Sequence, residues 1–330
     1  MKTALRVLVL ALVSAAALVL AWGQVPLLDL ASDLERISQL PLVLGWLVLA
    51  ATMWAKVERW AWLLDAQGHL ARRSLWTALL IGYLGNVVLP GRMGELVRAG
   101  VLSQKAPVSA SQALSSIIVE KVLDVGVLLI FLMVLDLAVP LPEWAAWAGV
   151  IGGIVFLGLC AALITVVWAG ARLVDWAEFL RGVSPRRLRE GPWWHWLADF
   201  IVGFSPLRSP PVALRVLFWT FLSWVLGGLV NVCVLWGFGI TPLLPAGVLT
   251  LVATNLGMAL PSAPGYIGVH HYLSTLALEA FNVPHDVAFA YAVVVHALIF
   301  GSFALAGALV LMFTGITFGQ ARGITESENP

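Results

Sequence analysis

The chain has 330 residues, 61% of them apolar and 11% charged, with a net charge of +1 and a mean hydropathy of +0.94. A soluble domain is about 45–50% apolar and about 25% charged, and a folded interior of this length has no room for the excess. A water-soluble enzyme is therefore excluded, and the composition predicts an all-α polytopic integral membrane protein. Cys160 and Cys233 both fall in apolar runs, as small packing residues and not as a disulfide framework.

From the N-terminus, Lys2 and Arg6 precede an apolar run that ends at Trp22. That run outlasts the core of a signal peptide, about 7–15 residues, and approaches spanning length; it reads as the first transmembrane helix. Further runs of spanning length lie near 40–55, 109–135, 144–169, 212–238 and 285–315, whereas 74–106 and 242–283 are apolar but interrupted by Pro and Gly.

Loop basicity sets the orientation. The loop near 23–39 has Arg36 against Asp29, Asp33 and Glu35, and 136–143 has Asp136 and Glu143 with no base. By contrast, 56–73 holds Lys56, Arg59, Arg72 and Arg73, and 170–211 holds Arg172, Arg181, Arg186, Arg187, Arg189 and Arg208. The alternation puts the N-terminus, 56–73 and 170–211 in the cytoplasm, with the C-terminus on the same side. Parity then makes 74–106 a re-entrant hairpin entering from the cytoplasm and 242–283 one entering from outside, within six to eight spans. Two tilted spans per hairpin would keep the parity and raise the count toward ten. The stretch 170–211 interleaves its arginines with Trp176, Trp193, Trp194 and Trp196, as an interfacial segment resting on anionic lipid does.

An internal repeat supports the hairpins. Pro90-Gly91-Arg92-Met93-Gly94 is matched by Pro264-Gly265-Tyr266-Ile267-Gly268, and each copy is preceded by an Asn and a Leu-Pro (Asn86, Leu89-Pro90; Asn255, Leu260-Pro261). Paired helix breaks of opposite orientation place transport sites near the bilayer midplane. The chain thus reads as one transmembrane domain over 1–330 with inverted halves at about 40–135 and 212–315. Pro and Gly kinking two ordinary helices is the plainer account.

Charges at membrane depth are costly and mark function by default. Glu120, Lys121 and Asp124 sit centrally in 109–135, either as an internal Lys121–Asp124 pair with Glu120 bonded to a neighbouring helix, or facing a hydrated cavity. After the first break come Arg92, Glu95 and Arg98. A half-helix starting near Gly94 presents free N–H groups, and the two arginines beside it suit a phosphate; a Glu95–Arg98 clamp and snorkelling arginines are the alternatives. The second break carries Tyr266, His270 and His271, and the last helix carries His296. They suit a proton relay or a pH-dependent site better than a metal, because adjacent His270 and His271 cannot chelate from one helical face. HExxH, GxSxG, P-loop and CxxC signatures are absent.

Leu89-Pro-Gly-Arg-Met-Gly-Glu-Leu-Val-Arg98, Glu120-Lys-x-x-Asp124, and Pro261-x-x-Pro264-Gly-Tyr-x-Gly-Val269 with His296 downstream resemble the flippase-like family, the transmembrane region of lysylphosphatidylglycerol synthases. The resemblance runs from about residue 5 to 315. Those synthases append a soluble aminoacyl-transferase domain, and a chain ending at Pro330 is expected to be a stand-alone member. Many members carry a basic–acidic pair after the second motif and an Arg in the last helix, where this chain has His270-His271 and His296.

The resemblance implies lipid translocation. The expectation is an inner-membrane flippase, not an enzyme, that moves an anionic phospholipid or a polyprenyl-phosphate-linked glycolipid without cofactor, metal or nucleic acid. Arg92 and Arg98 would engage phosphate; Glu95, Glu120, Lys121 and Asp124 would line the polar path; Tyr266, His271 and His296 would complete it. Pro90, Gly91, Gly94, Pro261, Pro264, Gly265 and Gly268 would form the hairpin breaks. The alternatives are a scaffold for a lipid-modifying glycosyl- or aminoacyl-transferase and a proton-coupled small-solute transporter, with a homo-oligomer or an enzyme partner left open.

Overall fold

A computed structural model describes residues 2–23, 35–64, 70–89, 93–183, 193–241, 243–258 and 262–314. Among the described residues every regular element is helical. The elements before the long outer helix are α1 (Lys2–Trp22), α2 (Gln39–Leu64), α3 (Arg72–Val88), α4 (Gly94–Lys105) and α5 (Ala110–Ala138). The outer helix α6 (Glu143–Val183) leads to α7 (Trp193–Val202) and a 3₁₀ turn at Ser205–Arg208. The second set is α8 (Pro210–Gly237), α9 (Leu243–Gly257), α10 (Val269–Glu279), α11 (His285–His296) and α12 (Ser302–Thr314), with a π-turn at Ala297–Gly301 joining the last two.

Gln39–Leu64, Glu143–Gly170, Pro210–Gly237 and His285–Thr314 are each long and apolar enough to cross a membrane. The 29-residue α5 has the length as well, but its three central charges raise its polarity. Its start is fixed by a capping box in which the Ser109 hydroxyl accepts from Gln112 N–H and the Gln112 amide oxygen accepts from Ser109 N–H.

Helices α3, α4, α9 and α10 have 17, 12, 15 and 11 residues, short of the about 20 needed to span. They pack as two pairs, α3 with α4 and α9 with α10. The first pair closes on glycine: a Cβ on Gly94 would stand 2.0 Å from the Gly82 carbonyl oxygen and 2.5 Å from Asn86 N. In the second pair Gly265 (φ 69°) and Gly268 (φ 88°) take left-handed conformations, and so does Tyr266 (φ 59°). A bulky residue there is strained and needs its surroundings to hold it. Pro90, Gly91, Arg92 and Pro261 lie outside the described residues.

The core is a pairing of the two sets. Helices α2 and α8 pack along each other. Helix α5 packs on α9 and α12 packs on α3, so the closing helix of each set lies on the short-helix pair of the other. Helix α1 docks on α10, where the Ser14 hydroxyl accepts from Ala263 N–H at 2.7 Å. Helix α6 is peripheral: only 6% of its apolar window is buried.

Two sequence expectations change. The apolar run near 40–55 continues helically to Leu64, so Lys56 and Arg59 belong to α2 and not to a loop. Likewise the segment expected to begin at 170 is, up to Val183, the continuation of α6, which at about 1.5 Å per residue outruns a hydrocarbon layer about 30 Å thick. Of the four tryptophans of this stretch, Trp176, Trp193 and Trp196 are exposed, whereas Trp194 is buried and packs instead.

Candidate functional site

Two arginines and two carboxylates are buried together between α2, α4 and α5. Arg59 is fully buried, and Arg98, Glu120 and Asp124 retain 5%, 2% and 7% of their exposure. Arg98 holds Glu120 through two parallel bonds, Nη1 to Oε1 and Nη2 to Oε2, both 3.0 Å. Arg59 bridges the acids: its Nη2 lies 2.8 Å from Glu120 Oε1 and its Nη1 donates to Asp124 Oδ1. Trp224 of α8 donates its indole N–H to the same Asp124 oxygen at 2.7 Å.

Paired forks of this kind are strong and directional, and they compensate the desolvation of charges that would otherwise be very costly at this depth. Trp60 completes the arrangement. Its ring lies under the Arg98 guanidinium at 3.6 Å, and its N–H donates to Ser116 Oγ at 2.8 Å.

Beside this network lies a cavity of about 420 Å³ lined from both helix sets, within the range of small-molecule sites, about 300–1,000 Å³. Lys56, Asp124 and Lys121 meet it on one side, Asn231, Asn255, Tyr266 and His270 on the other, and Phe300 and Phe303 contribute an aromatic wall. Glu95 and Lys121 pair at 3.1 Å with partly exposed side chains. Four cations (Lys56, Arg59, Arg98, Lys121) thus face three carboxylates (Glu95, Glu120, Asp124), an excess of one positive charge. The excess falls on Lys56, whose contact among the described residues is the Trp224 ring at 5.0 Å.

Several pairings differ from those weighed on spacing alone. Asp124 takes Arg59 and not Lys121; Arg98 takes Glu120 and not Glu95. The reason is reach: adjacent helices offer opposite charges in well-formed fork geometry, which a same-helix i,i+3 pair offers less well. Arg98 therefore has both terminal nitrogens engaged. Arg92 lies outside the described residues.

On the second side Tyr266 and His270 line the cavity. His271 is buried behind it, its Nδ1 accepting from Gly268 N–H at 3.4 Å, and His296 donates from Nε2 to the Gly265 carbonyl at 2.8 Å. The three rings cluster with centroids 4.7–6.0 Å apart. Among the described residues no group of three His, Cys, Asp or Glu is placed to hold a metal.

Sequence reasoning missed Lys56, Arg59 and Asn231. The signals were there: Arg59 lies in a run rich in Trp and Leu (Trp54, Trp60, Trp62, Leu63, Leu64), and Asn231 is a lone carboxamide in an apolar helix. No curated protein and no solved structure matches the chain. The family model of the lysylphosphatidylglycerol synthase TM region matches residues 5–318, and the chain belongs to that family.

Proposed function

We propose that the chain is a lipid translocator of the cytoplasmic membrane that passes an anionic headgroup through the cavity between the two helix sets. The acyl chains stay in the bilayer, since the cavity has room for a headgroup alone. In this reading α3–α4 and α9–α10 are re-entrant hairpins of opposite orientation. Their support is their short length, the reciprocal packing of α5 on α9 and α12 on α3, and the closing of both on glycine. With Arg72 and Arg73 at the start of α3 and the arginines of 170–211, both termini lie in the cytoplasm.

The observation that carries the proposal is Lys56, a cation in a cavity at membrane depth with no carboxylate to itself. A half-buried ammonium with no ion pair among the described residues is costly, and a phosphate arriving in the cavity would relieve that cost. The buried Arg59–Glu120–Arg98–Asp124 network then shapes the path and holds Asp124 in place, and Glu95–Lys121 forms an opening pair beside it.

The test is movement of acyl-labelled phosphatidylglycerol across proteoliposomes. Lys56→Gln breaks no ion pair, so folding should persist while the rate falls about tenfold, the loss of one charge-assisted contact; Lys56→Arg should retain most of it. A wild-type rate in Lys56→Gln would overturn the assignment.

A further inference from the structure

We infer that the headgroup fitting this cavity is a phosphate ester of a polyol or sugar, and not one bearing an ammonium group such as an aminoacyl or ethanolamine ester. The inference rests on the proposed translocation and follows from what the hydroxyls and Asn255 of the lining have left to offer, and from its charge balance.

The hydroxyls come first. Thr52 donates to Val48 O at 2.8 Å, Thr254 to Thr250 O at 2.7 Å and Ser223 to Thr220 O at 2.8 Å. Each has spent its one hydrogen on its own helix and keeps oxygen lone pairs for the cavity. The Asn255 carboxamide behaves alike: it donates Nδ2 to Leu251 O at 2.9 Å, and its Oδ1 remains available.

The lining is therefore rich in unfilled acceptors and carries one surplus cation. Its complement is a molecule with one negative charge and several O–H donors. The aromatic wall of Phe300 and Phe303 gives the apolar face of a sugar ring somewhere to lie.

An ammonium group is also a donor, but its charge finds no carboxylate to itself here. Asp124 is held by Arg59 and Trp224, and Glu95 faces Lys121. A cation would enter a site that already holds one positive charge too many, and a desolvated charge without its own partner is strongly disfavoured.

Proteoliposomes carrying matched acyl-labelled lipids test this. Phosphatidylinositol and a polyprenyl-phosphate hexose are expected to cross at least about tenfold faster than phosphatidic acid, which lacks the polyol, and than phosphatidylethanolamine or lysylphosphatidylglycerol. Asn255→Leu should shrink the ratio of phosphatidylinositol to phosphatidic acid rates severalfold. If the ammonium-bearing lipids cross as fast, or if Asn255→Leu slows every headgroup by one factor, the inference fails.

A second arm separates it from the translocation reading. In detergent, glucose 1-phosphate and inositol 1-phosphate should raise the thermal midpoint of the purified protein where phosphoethanolamine does not. Such a shift without lipid movement would keep the headgroup chemistry and point to a soluble sugar phosphate as the solute. Equal shifts with phosphoethanolamine would overturn the inference.

Discussion

The two helix sets solve the same packing problem with different chemistry. Each has a long leading helix (α2, α8), a pair of short helices closed on glycine, and a closing helix laid on the other set's pair. The first set fills its interior with fixed charge: Arg59, Arg98, Glu120 and Asp124, locked by forks. The second carries uncharged hydrogen-bonding side chains and imidazoles, Asn255, Tyr266 and the His270–His271–His296 cluster, together with a hydrogen-bonded Asn231–Tyr291 pair (2.8 Å). One scaffold can therefore set electrostatics on one side of a cavity and hydrogen-bonding capacity on the other.

The strongest way to break this comparison is Glu120→Ala. It leaves Arg59 and Arg98 buried with their main acceptor gone, and stability should fall by about 3–5 kcal/mol, read as thermal unfolding in detergent. Glu120→Gln keeps the acceptor oxygen but loses the charge and should fall between the two. Since no single group in the second set compensates two charges, no one substitution there should match this loss. An Asn231→Leu or His270→Ala variant as damaging as Glu120→Ala would show that charge is not what sets the halves apart.

The next effect sharpens the likeness instead of the difference. Gly94→Ala drives a Cβ against the Gly82 carbonyl, and Gly268→Ala drives one to 2.0 Å from the Ser14 carbonyl at φ 88°. Both should cost about 1–3 kcal/mol by overpacking, with Gly268→Ala the worse because backbone strain adds to the clash. If only Gly94→Ala were harmful, the second turn would not depend on its left-handed glycine and its seat on α1 as the first pair depends on close helix approach. Hydrogen exchange at the two turns reads this directly.

How much of this the residues announced depends on the kind of signal. The apolar runs marked the helices and Pro264–Gly268 the second turn, because lipid punishes any irregularity in sequence that is not repaired by structure; Pro90 and Gly91 of the first copy lie outside the described residues. Glu120 and Asp124 were legible for the same reason. Their partners were not: Arg59 sits where a helix could as well have ended, and a loop count of bases absorbed it. Pairing across helices depends on which faces meet, and periodicity within one helix carries no information about that. His270 and His271 illustrate the residual ambiguity, for both stand in the motif, and it takes the turn of α10 to put His270 on the cavity and His271 behind it.

The smallest effect tests what the imidazoles contribute. His296 donates to the carbonyl of Gly265, the first of three left-handed residues at the second turn, across 2.8 Å, so its Nε2 carries the hydrogen. If the ring serves as a lock for that strained turn, His296→Ala should cost about 0.5–1.5 kcal/mol, the net worth of one hydrogen bond. His296→Gln, a neutral donor of comparable reach, should then recover much of the loss and leave lipid movement near the wild-type rate. A protonation role predicts the opposite, since glutamine cannot titrate: normal stability with impaired movement. The second outcome would give the second helix set a charge of its own, present only when the imidazole is protonated, and would reduce the contrast between the halves to one of permanence.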